Sequence, residues 1–254
     1  MNFYLINPYF ELLTEMEDAG IIGTLLTYHT KESDYFIKVA KDIDIHKKIK
    51  YMVAVRPHLI SPEYLVRINQ SIKEISEGNR LQINLVSGAV DEEEYEMDKT
   101  LGPITNKSTT KERSNYLIEY IKLLNKLPQQ EKIDYYVSAT NDFTIEAALM
   151  HNDKMIVPYQ KYIHEKDILI DRKVMVYLAP VLRKTQGELD NLTGTGYNFK
   201  HIEEVKFTYE KMNNLINKLE DEGIKEMMIS AWNEEDIKIN IDFIREYNKK
   251  KGKE

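Results

Sequence analysis

Cysteine is absent from the 254 residues, which excludes disulfides, thiolate metal sites and a cysteine nucleophile. That usage fits a reducing cytoplasm. Concentrated positive charge is also scarce. The formal net charge is -7, and the one dense basic cluster is Lys249, Lys250, Lys251 and Lys253 at the chain's end, so a non-specific nucleic-acid surface is disfavoured. Long apolar runs are missing: 21–26 is among the longest, far short of the roughly 20 residues a membrane helix requires. Residues 1–10 contain Asn7 and Pro8 and no basic stretch, so no leader is expected and the chain reads as soluble.

Chemical signatures are sparse as well. Histidines stand singly at 29, 46, 58, 151, 164 and 201 with no H-E-x-x-H, so no metal site is expected. There is no G-x-S-x-G elbow, P-loop or G-x-G-x-x-G. Gly194-Thr195-Gly196 lacks the third glycine and reads as a turn.

What is present is a repeating pattern. Hydrophobic residues make up 42% and charged residues 30%, enough to build a sizeable core under a solvated surface. Short apolar runs rich in β-branched and aromatic residues recur at 3–6, 22–27, 51–55, 81–86, 135–138, 155–158, 174–178 and 226–230. Segments with helical spacing lie between and after them at 9–19, 33–44, 62–77, 111–127, 142–151, 199–222 and 234–249. Continuous apolar strands alternating with amphipathic helices predict a parallel sheet covered by helices. Eight units favour a closed (β/α)8 TIM barrel, one α/β domain over 1–254.

End chemistry supports these periods. Ser61 precedes Pro62 as a cap, Glu63 and Glu112 place negative charge at helix amino ends, and Gly78 provides a left-handed stop before the fourth strand. The connection from 88 to 110 is long and carries an acidic run. A catalytic lid and a solvated insertion are both open readings of it.

In such a barrel the active site forms just beyond the strand carboxyl ends. The residues there include Asn7, Tyr28, His29, Arg56, Ser87, Gly88, Ser138, Thr140, Asn141, Arg183 and Trp232. This polar and aromatic set suits a planar anionic cofactor better than hydrolysis.

One stretch carries a resemblance. Val53-Ala54-Val55-Arg56-Pro57-His58-Leu59-Ile60-Ser61-Pro62, continuing through Ile75 and Gly78 to Arg80-Leu81-Gln82-Ile83-Asn84-Leu85-Val86-Ser87-Gly88, resembles the bacterial luciferase-like flavin-dependent monooxygenases. The nearer likeness is to their alkanesulfonate monooxygenase-like branch, as a compact member. Glu112-Arg113, Ser138-Ala139-Thr140-Asn141 and the stretch 215–230 resemble further parts of that family in order.

The resemblance implies a luciferase-like barrel with shortened insertions and flavin mononucleotide (FMN) as cofactor. Reduced FMN would come from a separate reductase, O2 would oxidise a small organic substrate, and the chain would form a homodimer or pair with a homologue. It implies cofactor contacts for Asn84, Ser87, Ser138, Thr140, Asn141 and Thr144, the last three at the flavin phosphate. Val55-Arg56 falls where family members often carry an unusual peptide bend beneath the isoalloxazine.

Other readings stay open. Asn84 could pair buried backbone, Arg56 could be a strand-end ion-pair partner, and His29, placed to exchange a proton, could be structural. Tyr28 and Trp232 could wall the pocket or only pack. A flavin- or deazaflavin-dependent oxidoreductase without oxygen chemistry and a non-catalytic flavin-binding subunit partnering a larger homologue are the alternatives to a monooxygenase.

Overall fold

The computed structural model describes residues 1–6, 9–27, 34–76, 78–88, 109–129, 132–151, 154–169, 171–192 and 205–252. Eight parallel strands close into a barrel. They are β1 (Asn2–Ile6), β2 (Gly23–Leu26), β3 (Lys50–Val55), β4 (Leu81–Leu85), β5 (Tyr135–Ser138), β6 (Lys154–Pro158), β7 (Lys173–Leu178) and β10 (Glu226–Ile229). The order around the barrel is β1-β10-β7-β6-β5-β4-β3-β2. All eight coincide with the apolar runs of the sequence, and the fold is a closed (β/α)8 barrel.

Helices cover the outside: α1 (Leu13–Asp18), α2 (Tyr35–Asp42), α3 (Pro62–Ile75), α4 (Thr110–Lys126), α5 (Asp142–His151), α6 (Tyr159–His164), α7 (Lys166–Leu169), α8 (Gln186–Asp190), α9 (Tyr209–Asp221) and α10 (Glu234–Lys250). The expected helix over 199–222 is corrected, since Lys206–Thr208 is a strand, β9, and α9 begins only at Tyr209. β9 pairs in parallel with β8 (Val181–Arg183) to form a small sheet outside the barrel. Periodicity missed it because three-residue strands carry too few alternations to register. Between β6 and β7 lie the two short helices α6 and α7.

Helix ends follow from local chemistry. The Ser61 hydroxyl accepts from Tyr64 N at 3.2 Å with Pro62 at the first helical position. Gly78 takes φ 86°, the left-handed conformation its turn requires. Glu112 does more than add charge at a helix end. Thr109 Oγ1 accepts from Glu112 N at 3.2 Å while Glu112 Oε2 accepts from Thr109 N at 2.6 Å, a reciprocal capping box.

The strands are apolar on both faces because both are buried. Val174, Val176 and Leu178 of β7 pack toward the helices, whereas Met175 and Tyr177 face the barrel interior with Met52, Leu25, Ile156 and Met228. Polar pairs close the amino-terminal end of the interior. Tyr136 Oη donates to Glu226 Oε2 at 2.8 Å, Gln82 Nε2 donates to Asp134 Oδ2 at 2.8 Å, and Lys154 pairs with Asp134. Tyr4 is fully buried there. Gly23 makes room for it, since a Cβ at that position would lie 2.4 Å from the Tyr4 ring.

Candidate functional site

A cavity of about 390 Å³ opens at the carboxyl ends of the barrel strands, a volume within the roughly 300–1,000 Å³ typical of small-molecule sites. Its lining divides by strand. Arg56 follows β3, Asn84 lies on β4, and Ser138 and Thr140 lie on and just after β5. These polar groups come from three neighbouring strands. The arc formed by β6, β7, β10, β1 and β2 presents Ile156 and Pro158, Tyr177, Met228, Ile6, and Leu25 with Thr27.

Strand alternation aims these side chains inward. Asn84 and Ser138 sit at inward positions of adjacent strands, and Ser138 Oγ donates to Asn84 Oδ1 at 3.0 Å. Asn84 is 3% exposed and Arg56 4%. The Asn84 carbonyl is thus engaged laterally, which leaves its amide hydrogens as the donor group of that side chain. The Val55–Arg56 peptide is trans, as are all peptide bonds among the described residues.

Asn141 and Thr144 form the amino end of α5. Thr144 N donates to Asn141 Oδ1 at 3.1 Å, Asn141 N donates to Thr144 Oγ1 at 3.1 Å, and Thr144 Oγ1 donates to Asn141 O at 2.9 Å. Thr144 is fully buried, so its hydroxyl shapes the helix end from within. The remaining amino-terminal N–H groups of a helix favour an anion. Asp142 and Lys161 form an ion pair at this end, and Glu165 accepts from Lys161 at 3.1 Å.

Ser87 is half-buried just past β4 and is not among the residues lining the cavity. Next to it Gly88 lies against Arg113 of α4, where a Cβ would come within 2.6 Å of Nε. Trp232 is 44% exposed and donates from Nε1 to Ala179 O at 3.2 Å, and it too is absent from the lining. Arg183, another strand-end residue, pairs with the buried Asp236 at 2.9 Å and ties β8 to α10. His29, Asn7, Tyr28 and most of the 88–110 connection lie outside the described residues.

Thus Arg56, Asn84, Ser138 and Thr140 come together at one cavity, with Asn141 and Thr144 at the adjoining helix end. Tyr177, Met228, Pro158 and Thr27 were missed, because sequence reasoning searched beyond each strand rather than at its last inward-facing position. Alternation along β7 places Tyr177, one residue before the strand end, on the inward face with Met175. Burial raises the Tyr177 phenol above its ordinary pKa, and a hydrogen bond with the Ser230 side chain opposes the shift.

Among the described residues no group of three or more His, Asp or Glu side chains is placed to hold a metal, and no helix is long and apolar enough to cross a membrane.

No protein-family model matches the chain. Solved structures do. The long-chain alkane monooxygenase LadA superposes with a TM-score of 0.71 at 13% identity, covering 95% of this chain and 83% of that one. The EDTA monooxygenase EmoA from Chelativorans sp. BNC1 gives 0.69 at 12%, covering 96% and 86%. An F420-dependent secondary alcohol dehydrogenase in complex with an F420-acetone adduct gives 0.65 at 12%, covering 96% of both chains. At such identities the likeness is one of fold, and the chain is similar to these three proteins as a (β/α)8 barrel over nearly its whole length.

Proposed function

We propose that the protein is a flavin-dependent monooxygenase, using reduced FMN supplied by a separate reductase and O2 to oxidise a small organic substrate. The observation that carries this reading is the cavity at the strand carboxyl ends, where Arg56, Asn84, Ser138 and Thr140 gather from the adjacent strands β3, β4 and β5. An FMN has a polar ring edge and ribityl chain, an apolar ring end and an anionic phosphate. The residues present fit each: a buried guanidinium, an amide donor and two hydroxyls on one arc, an apolar surface on the other, and a helix amino end beside them.

When bound, reduced flavin supplies the electrons and the reaction with O2. The chain's own residues bind and orient it. Asn84, held by Ser138, would donate to a ring or ribityl acceptor, and Arg56 would face the electron-rich edge. Thr140 and the α5 amino end, shaped by Asn141 and Thr144, would take the phosphate, with Ser87 at the rim. Ile156, Met228 and Leu25 keep water from the interior. His29 would exchange the proton. The alkanesulfonate-like branch rests on the sequence resemblance carried chiefly by the stretches 53–62 and 80–88. A homodimer or a pairing with a homologue, and a cytoplasmic location, belong to the same reading.

A second reading is hydride transfer with a deazaflavin and no oxygen. It is favoured by the F420-dependent dehydrogenase, whose length this chain matches at 96% both ways. A flavin-binding subunit without activity, beside a larger homologue, is the third. Anaerobic titration with oxidised FMN, reduced FMN and F420, followed by admission of O2, separates them. A preference for reduced FMN with a transient near-ultraviolet absorbance supports the monooxygenase. Selective F420 binding supports the second reading, FMN binding without a transient the third, and no binding of any of them removes the flavin site.

A further inference from the structure

The two sides of the cavity differ in a way that bears on the substrate. Around the closed barrel, β3 and β7 are separated by three strands in either direction: β4, β5 and β6 one way, β10, β1 and β2 the other. Arg56 at the end of β3 and Tyr177 on β7 therefore face each other across the cavity they both line. Tyr177 is in register with Pro158 of β6 and Met228 of β10, both apolar and both in the lining. Among the described residues, the arc from β6 through β7, β10 and β1 to β2 lines the cavity with no charged side chain.

An ion brought against that arc would lose hydration without gaining a partner, at a cost far above that of an uncharged group. Two hydroxyls break the arc. Thr27 directly follows β2, beside the polar strand β3, so Tyr177 is the hydrogen-bonding group furthest from the polar side.

We infer that the substrate is a small uncharged molecule, largely apolar, carrying one hydrogen-bond-accepting oxygen, and that Tyr177 holds that oxygen at the apolar side of the cavity. This inference rests on the flavin reading, which assigns the polar arc to the cofactor and leaves the apolar arc to the substrate. The shift of the Tyr177 phenol is upward, so it remains a proton donor at neutral pH. Its oxygen can accept from Ser230 while its proton is offered to the ligand. A phenol in this role discriminates by what it would lose: an alkane leaves it without an acceptor, and a carboxylate or ammonium meets the apolar wall.

The experiment is a binding series on one ring skeleton, with cyclohexanone, cyclohexane, cyclohexanecarboxylate and cyclohexylamine as probes. Saturation-transfer NMR is run on the FMN-loaded and the flavin-free protein. Cyclohexanone is expected to bind at least roughly tenfold more tightly than either charged probe. Tyr177→Phe is expected to weaken cyclohexanone by about three- to tenfold, the size of one hydrogen bond, while leaving cyclohexane and FMN binding unchanged. Charged probes binding as well as the ketone, or an unaltered ketone-to-alkane ratio in Tyr177→Phe, would overturn the inference. If FMN does not bind but the flavin-free protein shows the ketone preference and its loss in the variant, the cofactor reading fails and the assignment of the apolar arc stands.

Discussion

Ser138 Oγ donates a 3.0 Å hydrogen bond to Asn84 Oδ1, tying two adjacent barrel strands together through the side chains that line the candidate site. The bond fixes the Asn84 carboxamide and turns its hydrogens into the group available to a ligand. Asn84→Ala should weaken FMN binding by roughly tenfold, the cost of one buried hydrogen bond. Ser138→Ala should cost less, because the amide survives without its lateral support. Fluorescence titration checks both, and equal affinities in all three proteins would remove Asn84 from the cofactor site.

Charge at the amino end of α5 tests the proposed phosphate position. Asp142 pairs there with Lys161, which also contacts Glu165, so two carboxylates share one ammonium. Asp142→Asn should release Lys161 toward an incoming anion and tighten FMN binding by roughly threefold, the scale of one charge at a helix end. Riboflavin, which lacks the phosphate, should bind both proteins equally. A gain for riboflavin as well would place the effect elsewhere.

The fit of Tyr4 against Gly23 sets a stability prediction. Tyr4 is fully buried and a Cβ on Gly23 would lie 2.4 Å from its ring. Gly23→Ala should destabilise the fold by about 1–3 kcal/mol, as overpacking does. Adding Tyr4→Leu should recover part of that loss. Urea unfolding of the single and double variants checks it, and strict additivity would show that the two residues do not compete for space.

Glu222 supplies the pH dependence. Burial pushes its carboxyl up, but hydrogen bonds with Lys166 at 2.6 Å and Tyr162 at 3.0 Å prevail and hold it below the ordinary value. A depressed folded pKa contributes stability above the unfolded value of about 4.3 and loses it as pH falls through the folded pKa. Wild type should therefore exceed Glu222→Gln by a constant margin from neutrality to about pH 5, shrinking at lower pH. A margin that grows on acidification would reverse the assignment.

His29 carries the proposed proton exchange. His29→Ala should slow turnover while sparing FMN affinity, as steady-state kinetics and fluorescence titration would show. Normal turnover with normal affinity would return His29 to a structural role.

Much of this molecule was legible in the chain. The eight apolar runs are the eight barrel strands, because a parallel strand buried on both faces must be apolar throughout. Ser61-Pro62 and Gly78 mark ends that local backbone chemistry alone decides. The stretch running to Arg56 and on to Ser87 pointed to the mouth of the barrel, where Arg56 and Asn84 in fact line one cavity.

Tertiary structure decided the rest. That Tyr177 stands across from Arg56 and that Ser138 holds Asn84 depend on strand order and closure, whereas Thr144 spends its hydroxyl on Asn141 within one helix turn. These contacts join residues far apart in the chain or depend on which way a side chain turns. The small β8–β9 sheet was invisible because its three-residue strands are too short for periodicity to register. Composition and spacing record which faces are buried. Only closure of the barrel determines which buried side chains meet.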